Sequence, residues 1–283
     1  IVFAADDKAP SNRTRDREVD IQHIKIDVTV NLETESVYGH VTHTLSPLHS
    51  KLQSFALDAE DMIIRRVRVG NEDIGFEHAG GKLFITLSKS IGWNDTVDVK
   101  VDYTASPLLG TFFFKPDDIY PDQPWQAWTQ GEEEDNHHWV PLYDYPNDRS
   151  TFETILTVDQ KFKAVSNGEL LSIKKNKDGT HTWHWRENYP MVAYLISFVI
   201  GEYEKVEDSY NGIPVNYWVY KENRSETKRS FGLTTDMMKV FGDLTGIEYP
   251  YEKYDQIIVD DFMFGGMENI TLTHNTDRTM YDK

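Results

Sequence analysis

The chain has 283 residues, enough for one large domain or two ordinary ones with a substantial core. It carries 47 acidic against 29 basic residues, a net charge of −18, which argues against nucleic acid or an anionic membrane surface as partner because both repel an acidic protein. It has no cysteine, so disulfide and thiolate chemistry are excluded, and it has no apolar run of the ~20 residues that a bilayer span requires.

Residues 1–18 read as a flexible lead, polar and proline-containing from Ala5 to Asp16. Val2-Phe3-Ala4 has the −3, −1 spacing that a signal peptidase accepts, so export to the periplasm or cell exterior is favoured over a cytoplasmic location, with a vector remnant as the alternative. From Val19 the chain reads as β structure. Asp20–Val30 and Val37–Leu45 alternate apolar and polar residues, and shorter strands are expected at Ser54–Leu57, Ile63–Val69, Leu83–Leu87 and Val97–Tyr103, separated by glycine and asparagine turns. Short strands at this spacing indicate an antiparallel β-sandwich over residues 19–204. His40 and His43 stand three apart in a strand and so face opposite sides, as do His181 and His184, which argues against a shared metal in either pair.

Leu108–Phe152 breaks the regularity. It reads as a long connection rich in Phe, Trp, Pro and acid, and loops of such length are usually functional or disordered. Its aromatic content favours order, because Trp125, Trp128, Trp139 and three consecutive Phe residues need burial. Glu133, Glu134 and Asp135 read as solvated. His137 and His138 are adjacent, a poor arrangement for chelating one ion, and no third ligand is evident nearby in the sequence. Strands resume at Thr151–Val158 and Phe162–Gly168, Lys177-Asp-Gly-Thr180 reads as a hairpin turn joining the strand pair around it, and Trp183–Arg186 and Tyr194–Ile200 read as the last strands of this region.

A boundary is expected across Gly201–Asn211, where acids and turn residues cluster. Beyond Tyr220 the apolar period lengthens to that of a helix, with Ser225 as N-cap, Phe231, Thr234, Met238 and Phe241 on one stripe, Met237 and Leu244 beside it, and Gly246 and Pro250 as stops. Gln256–Val259 then reads as a buried strand, Gly265-Gly266-Met267-Glu268-Asn269 as a glycine loop, and Ile270–Thr273 as a second strand. On these residues alone the loop is either a hairpin turn with a solvated glutamate or a site in which rigid strands hold one carboxylate. Helix, strand, loop and strand make residues 205–283 the incomplete start of an α/β domain.

Two motifs together carry a resemblance. Gly265–Asn269 is similar to the GxMEN motif of the aminopeptidase N family of zinc metallopeptidases, which includes the leukotriene hydrolase type. Gln130-Gly131-Glu132, followed by Pro141, Asp144, Pro146, Arg149 and Phe152, resembles that family's Q-x-E, P-x-x-D-x-P and basic-x-x-F series in register. His137, Val140 and Leu142 depart from it where the family often has Arg, Phe and Cys. The resemblance implies a saddle-like sandwich followed by a thermolysin-like domain, and peptide substrates with a free amino terminus. It assigns Glu132 and Glu268 to the substrate ammonium and Gln130 and Met267 to the pocket for the first side chain. Gly265 and Gly266 would contact the substrate backbone, and Asn269 would brace the loop. It also implies a cis peptide after Glu132. The family's zinc motif, HExxH, is absent, and its ligands are expected beyond Lys283; this chain is therefore expected to bind no zinc and to cleave nothing alone. The alternatives are a non-catalytic relative acting as a peptide-binding or scaffold module, and a carbohydrate-binding β module suggested only by the Trp and Tyr content. Self-association through the apolar helix stripe is expected if its packing partners are missing.

Overall fold

The computed structural model describes residues 14–280; the expected export signal lies outside them. Residues 14–18 are held to the body: Arg15 pairs with Asp58 at 2.6 Å and stacks over Tyr143, and Arg17 pairs with Asp148 and Asp20, so this part of the expected lead is anchored.

The first strands follow the alternation. They are β1 (Val19–Asn31), β2 (Ser36–Pro47), β3 (Leu52–Asp58), β4 (Met62–Val69), β5 (Glu72–Asp73), β6 (Gly75–Ala79), β7 (Lys82–Ile91) and β8 (Val97–Ala105). In β1 the apolar spacing skips from Ile21 to Ile24. A register shift against β2 between Ile21 and His23 absorbs the extra residue, so Ile21, Ile24, Ile26, Val28 and Val30 are all buried.

Next come β9 (Thr111–Phe114), β10 (Gln126–Thr129), β11 (Ser150–Asp159), β12 (Lys163–Ser166), β13 (Glu169–Lys175), β14 (Thr180–Met191) and β15 (Phe198–Gly201). An eight-stranded sheet runs β13-β14-β11-β1-β2-β8-β4-β5; a four-stranded sheet runs β12-β15-β10-β9, and a three-stranded one β3-β7-β6. The expected antiparallel pairing holds throughout the large sheet except between β1 and β11, which are parallel. The expectation that Leu108–Phe152 is all connection fails: it contributes β9 and β10, and every residue of β10 is buried, so no alternation marks it. β13 and β14 are the strand pair expected around the Lys177–Thr180 turn, although all seven residues of the edge strand β13 are exposed.

The last part builds a five-stranded mixed sheet in the order β16-β17-β18-β20-β19, from β16 (Glu204–Tyr210), β17 (Ile213–Val219), β18 (Tyr254–Val259), β19 (Gly266–Met267) and β20 (Leu272–Thr276). The expected boundary stretch is itself the edge strand β16. The expected single helix is interrupted. Ser225 lies within a 3-10 turn, Lys221–Glu226, not at an N-cap; α1 (Thr227–Phe231) and α2 (Thr234–Thr245) follow, and the Thr234 hydroxyl donates to the Phe231 carbonyl at their junction. Phe231, Thr234 and Met238 are buried, with Phe231 stacked on Tyr217, but Phe241 is 64% exposed, so the stripe leaves the body after Met238. α2 does end at Gly246, whose φ is +68°. Between the four-stranded and five-stranded sheets, buried Lys253 donates to the Ser166 carbonyl and to Asp255, both at 2.8 Å.

Candidate functional site

Gln130 follows β10 directly. Its amide donates to Gly110 O at 3.1 Å, and its side chain is 4% exposed. The turn after it is fixed by Asn136, which is fully buried. Asn136 Nδ2 donates to Ala193 O at 2.8 Å and Ile196 O at 3.2 Å, and its Oδ1 accepts from Trp139 Nε1 at 2.8 Å. A Cβ on Gly131 would sit 2.4 Å from Asn136 Nδ2 and 2.5 Å from Tyr194 O, so this position admits no side chain. Glu132 is exposed on this stapled turn, and the Glu132–Glu133 peptide is cis, as the resemblance implied.

The glycine loop arises differently from either hairpin or strand-loop-strand expectation. β18 and β20 are parallel neighbours, and the crossover between them carries β19, which pairs antiparallel with β20 through Gly266–Asn275 and Met267–His274. β19 is the edge of the sheet, so its outer side is open to another strand. Gly265 and Gly266 are exposed with ordinary backbone angles; a Cβ on Gly265 would meet nothing within 4 Å. The glycines are therefore not needed for an unusual backbone turn, and the room they leave faces outward. Glu268 is exposed beside buried Met267.

The two motifs meet. Gln130 Nε2 donates to Met267 Sδ at 3.3 Å across 137 residues of chain. Other contacts lock the same face: Gln126 Oε1 accepts from Asp260 N at 2.9 Å, Trp128 Nε1 donates to Asp260 O at 3.2 Å, and the Trp128 and Phe262 rings meet edge-on at 5.3 Å. Around the junction four buried polar atoms have no hydrogen-bond partner among the described residues: Gln130 Oε1, Asn269 Oδ1, Asn269 Nδ2 and His274 Nδ1. Buried polar groups are normally paired, so a cluster of unpaired ones marks a place prepared for a ligand or a further segment. The Asn269 side chain, expected to brace the loop, has no hydrogen-bond partner among the described residues. Its carbonyl accepts from Leu272 N at 3.0 Å.

Sequence reading missed His274 and its support. His274 is fully buried opposite Met267, its Nε2 lies 2.6 Å from Ser197 Oγ, and burial pulls its pKa down to about 3, so the imidazole is neutral. Its only signal was its place two residues after Leu272 on a strand. Glu187 was missed as well. It accepts from Tyr189 N and Thr271 Oγ1 at the end of the glycine loop, and burial, helped by Glu252, pushes its pKa up to about 7. The larger cavities, of about 870 and 1010 Å³, are lined by other residues; the glycine loop is an exposed wall rather than an enclosed pocket.

The expectation that the histidine pair lacks a third companion also fails. Glu60 arrives by folding from 77 residues upstream and places its Oε2 3.4 Å from His137 Nε2.

A family model described as "Peptidase M1 N-terminal domain" matches residues 20–195, and one described as "Peptidase family M1 domain" matches residues 229–283. Leukotriene A-4 hydrolase of Xenopus laevis is 26% identical over 94% of this chain and 45% of its own length. The mitochondrial aminopeptidase 2 of Saccharomyces cerevisiae is 26% identical over 91% of this chain and 28% of its own, and glutamyl aminopeptidase of Bos taurus is 28% identical over 55% and 16%. The chain thus spans less than half the length of these relatives. With one model covering its β sheets from Asp20 to Leu195 and the second covering the helix and glycine-loop region, this chain belongs to the peptidase M1 family.

Proposed function

We propose that this chain is the substrate-recognition part of a zinc-dependent aminopeptidase that removes residues from the free amino ends of peptides. The observation that supports the reading is the contact between Gln130 and Met267: Glu132 stands two residues past the first and Glu268 one residue past the second. A substrate α-ammonium held away from bulk water needs carboxylates around it, and two acids from separate segments also cap the pocket and limit entry to one residue. The open side of β19 offers main-chain groups to an extended peptide, with Gly265 and Gly266 letting its backbone come close. Gln130 and Met267 line the place of the first side chain.

The family's HExxH does not occur among the ten histidines of these 283 residues. The residues present do not fit that zinc site, so no hydrolytic step is derived from them, and the chain alone is expected to bind peptides without cleaving them. The second reading is a peptide-binding relative without catalysis; both readings share the recognition geometry. Titration calorimetry tests it, using a tripeptide and its N-acetylated form. The free peptide should bind, acetylation should abolish binding, and Glu268→Gln and Glu132→Gln should each weaken it about tenfold or more. Equal affinity for both peptides, or oligosaccharide binding in their place, would overturn the assignment.

A further inference from the structure

Glu60 lies in the turn between β3 and β4, and His137 and His138 lie in a 3-10 turn, Asn136–His138, between β10 and β11. Glu60 N donates to His137 O at 3.0 Å, which ties the two turns together through the main chain. One oxygen of Glu60 and one ring nitrogen of each histidine lie within 4.8 Å of one another. The two imidazoles face each other, with ring centres 4.6 Å apart and planes inclined by 31°, although they belong to adjacent residues.

Each ring is oriented from behind by a carboxylate. Asp144 Oδ2 lies 3.1 Å from His137 Nδ1, and Asp61 Oδ2 lies 2.7 Å from His138 Nδ1. A carboxylate only accepts, so both Nδ1 atoms carry the proton; His138 Nε2 presents a lone pair, while His137 Nε2 donates to Glu60 and gives up that proton when a metal ion takes its place. His137 Nε2 points at Glu60. His138 Nε2 has no hydrogen-bond partner among the described residues. Asp144 is itself fixed, accepting from His137 N at 2.9 Å and donating its own amide to Asp58 at 3.0 Å. Carboxylate behind, imidazole in the middle and a lone pair in front is how proteins orient histidines toward a metal.

We propose that Glu60, His137 and His138 bind one divalent first-row transition-metal ion of the zinc or cobalt type, with solvent completing the coordination. Two imidazoles and one carboxylate suit such ions and disfavour magnesium and calcium, which take oxygen ligands. Metal–ligand bonds of about 2.0–2.2 Å need the three atoms to draw in to separations of about 3.3 Å. Glu60, whose side chain is 52% exposed, has the freedom to supply that closure. The bound ion joins the β3–β4 turn to the turn that presents Glu132, so its role is to fasten that turn to the sandwich. This replaces the expectation, drawn from the sequence, that the chain holds no metal.

The test uses the 283-residue chain freed of metal with a chelator. Zn²⁺ is titrated calorimetrically and Co²⁺ by visible absorption. One ion per chain is expected, with cobalt bands characteristic of low coordination number and nitrogen ligation. Glu60→Gln, at an exposed side chain that leaves the fold intact, should weaken binding about tenfold or more, as should the orienting variant Asp61→Asn. His138→Gln should abolish the cobalt bands, and His184→Gln, in a pair with Glu153 elsewhere, should leave them unchanged. No saturable binding, or Glu60→Gln and His138→Gln binding as the wild type does, would overturn the site.

Discussion

Removing the ammonium of Lys253 should be among the most destabilising single changes in the molecule. Lys253 is 5% exposed and Asp255 0%, and their charged atoms are 2.8 Å apart. Burial pulls the lysine pKa down, while Asp255 opposes that shift. The Asp255 carboxylate also accepts from Asn216 Nδ2 at 2.7 Å and Trp218 Nε1 at 3.0 Å. Lys253→Met removes the ammonium, which also lies 4.5 Å from the centre of the Trp185 ring, and leaves a buried carboxylate without its cation and Ser166 O without its donor. Breaking a buried pair from one side costs about 3–5 kcal/mol. At roughly 2–3 °C per kcal/mol for a chain of this size, the melting temperature should fall by about 6–15 °C. The double variant Lys253→Met/Asp255→Asn removes the orphaned charge and should recover at least half of the loss, so the coupling in a double-mutant cycle should exceed about 2 kcal/mol by the cost of Asp255→Asn alone. Urea unfolding at pH 7 with thermal melts measures all four proteins. A Lys253→Met shift below about 2 °C, or no recovery in the double variant, would refute the claim that this pair staples the sheets.

Three further outcomes follow from the geometry. Glu187 has its folded pKa raised to about 7 against about 4.3 unfolded, so its contribution to stability is fully present below about pH 4.3 and is lost as pH rises to about 7. Glu187→Gln should therefore gain on the order of 2–3 kcal/mol over wild type at pH 8 and nothing at pH 4; a constant difference across urea titrations at these pH values would contradict the assigned shift. Gly131→Ala forces a Cβ against Asn136 and Tyr194 O and should cost about 1–3 kcal/mol while weakening peptide binding; calorimetric affinity equal to wild type would show that the turn carrying Glu132 need not be rigid. Met237, Phe241 and Leu244 form an exposed apolar stripe on α2, so the chain should self-associate, and Phe241→Glu with Leu244→Glu should lower the mass in light scattering; a strictly monomeric wild type counts against it.

The sandwich strands were legible because alternation of apolar and polar residues survives wherever one sheet face is buried, as in β1 and β2. β10 was not, since both its faces are covered; β13, with neither face buried, was marked only by the hairpin turn at Lys177 that joins it to β14. The interrupted helix was misread because composition sets an apolar period but not the point at which Thr234 takes the Phe231 carbonyl. The two motifs, their glycines and the acids beside them could be named from the chain alone, because covalent spacing preserves them.

The sequence determined which residue types were available in each segment, and with them the fold class, the family likeness and the identity of Glu132 and Glu268 as the acids to watch. Only the tertiary structure decided which distant groups became neighbours: Gln130 with Met267 across 137 residues, His274 with Ser197 across 77, and Glu60 with the His137–His138 turn. Local periodicity reports which face of an element is buried, but the partner across that face is set by sheet order and the parallel crossovers. Those pairings come from the packing of the whole chain, which no short window of sequence contains.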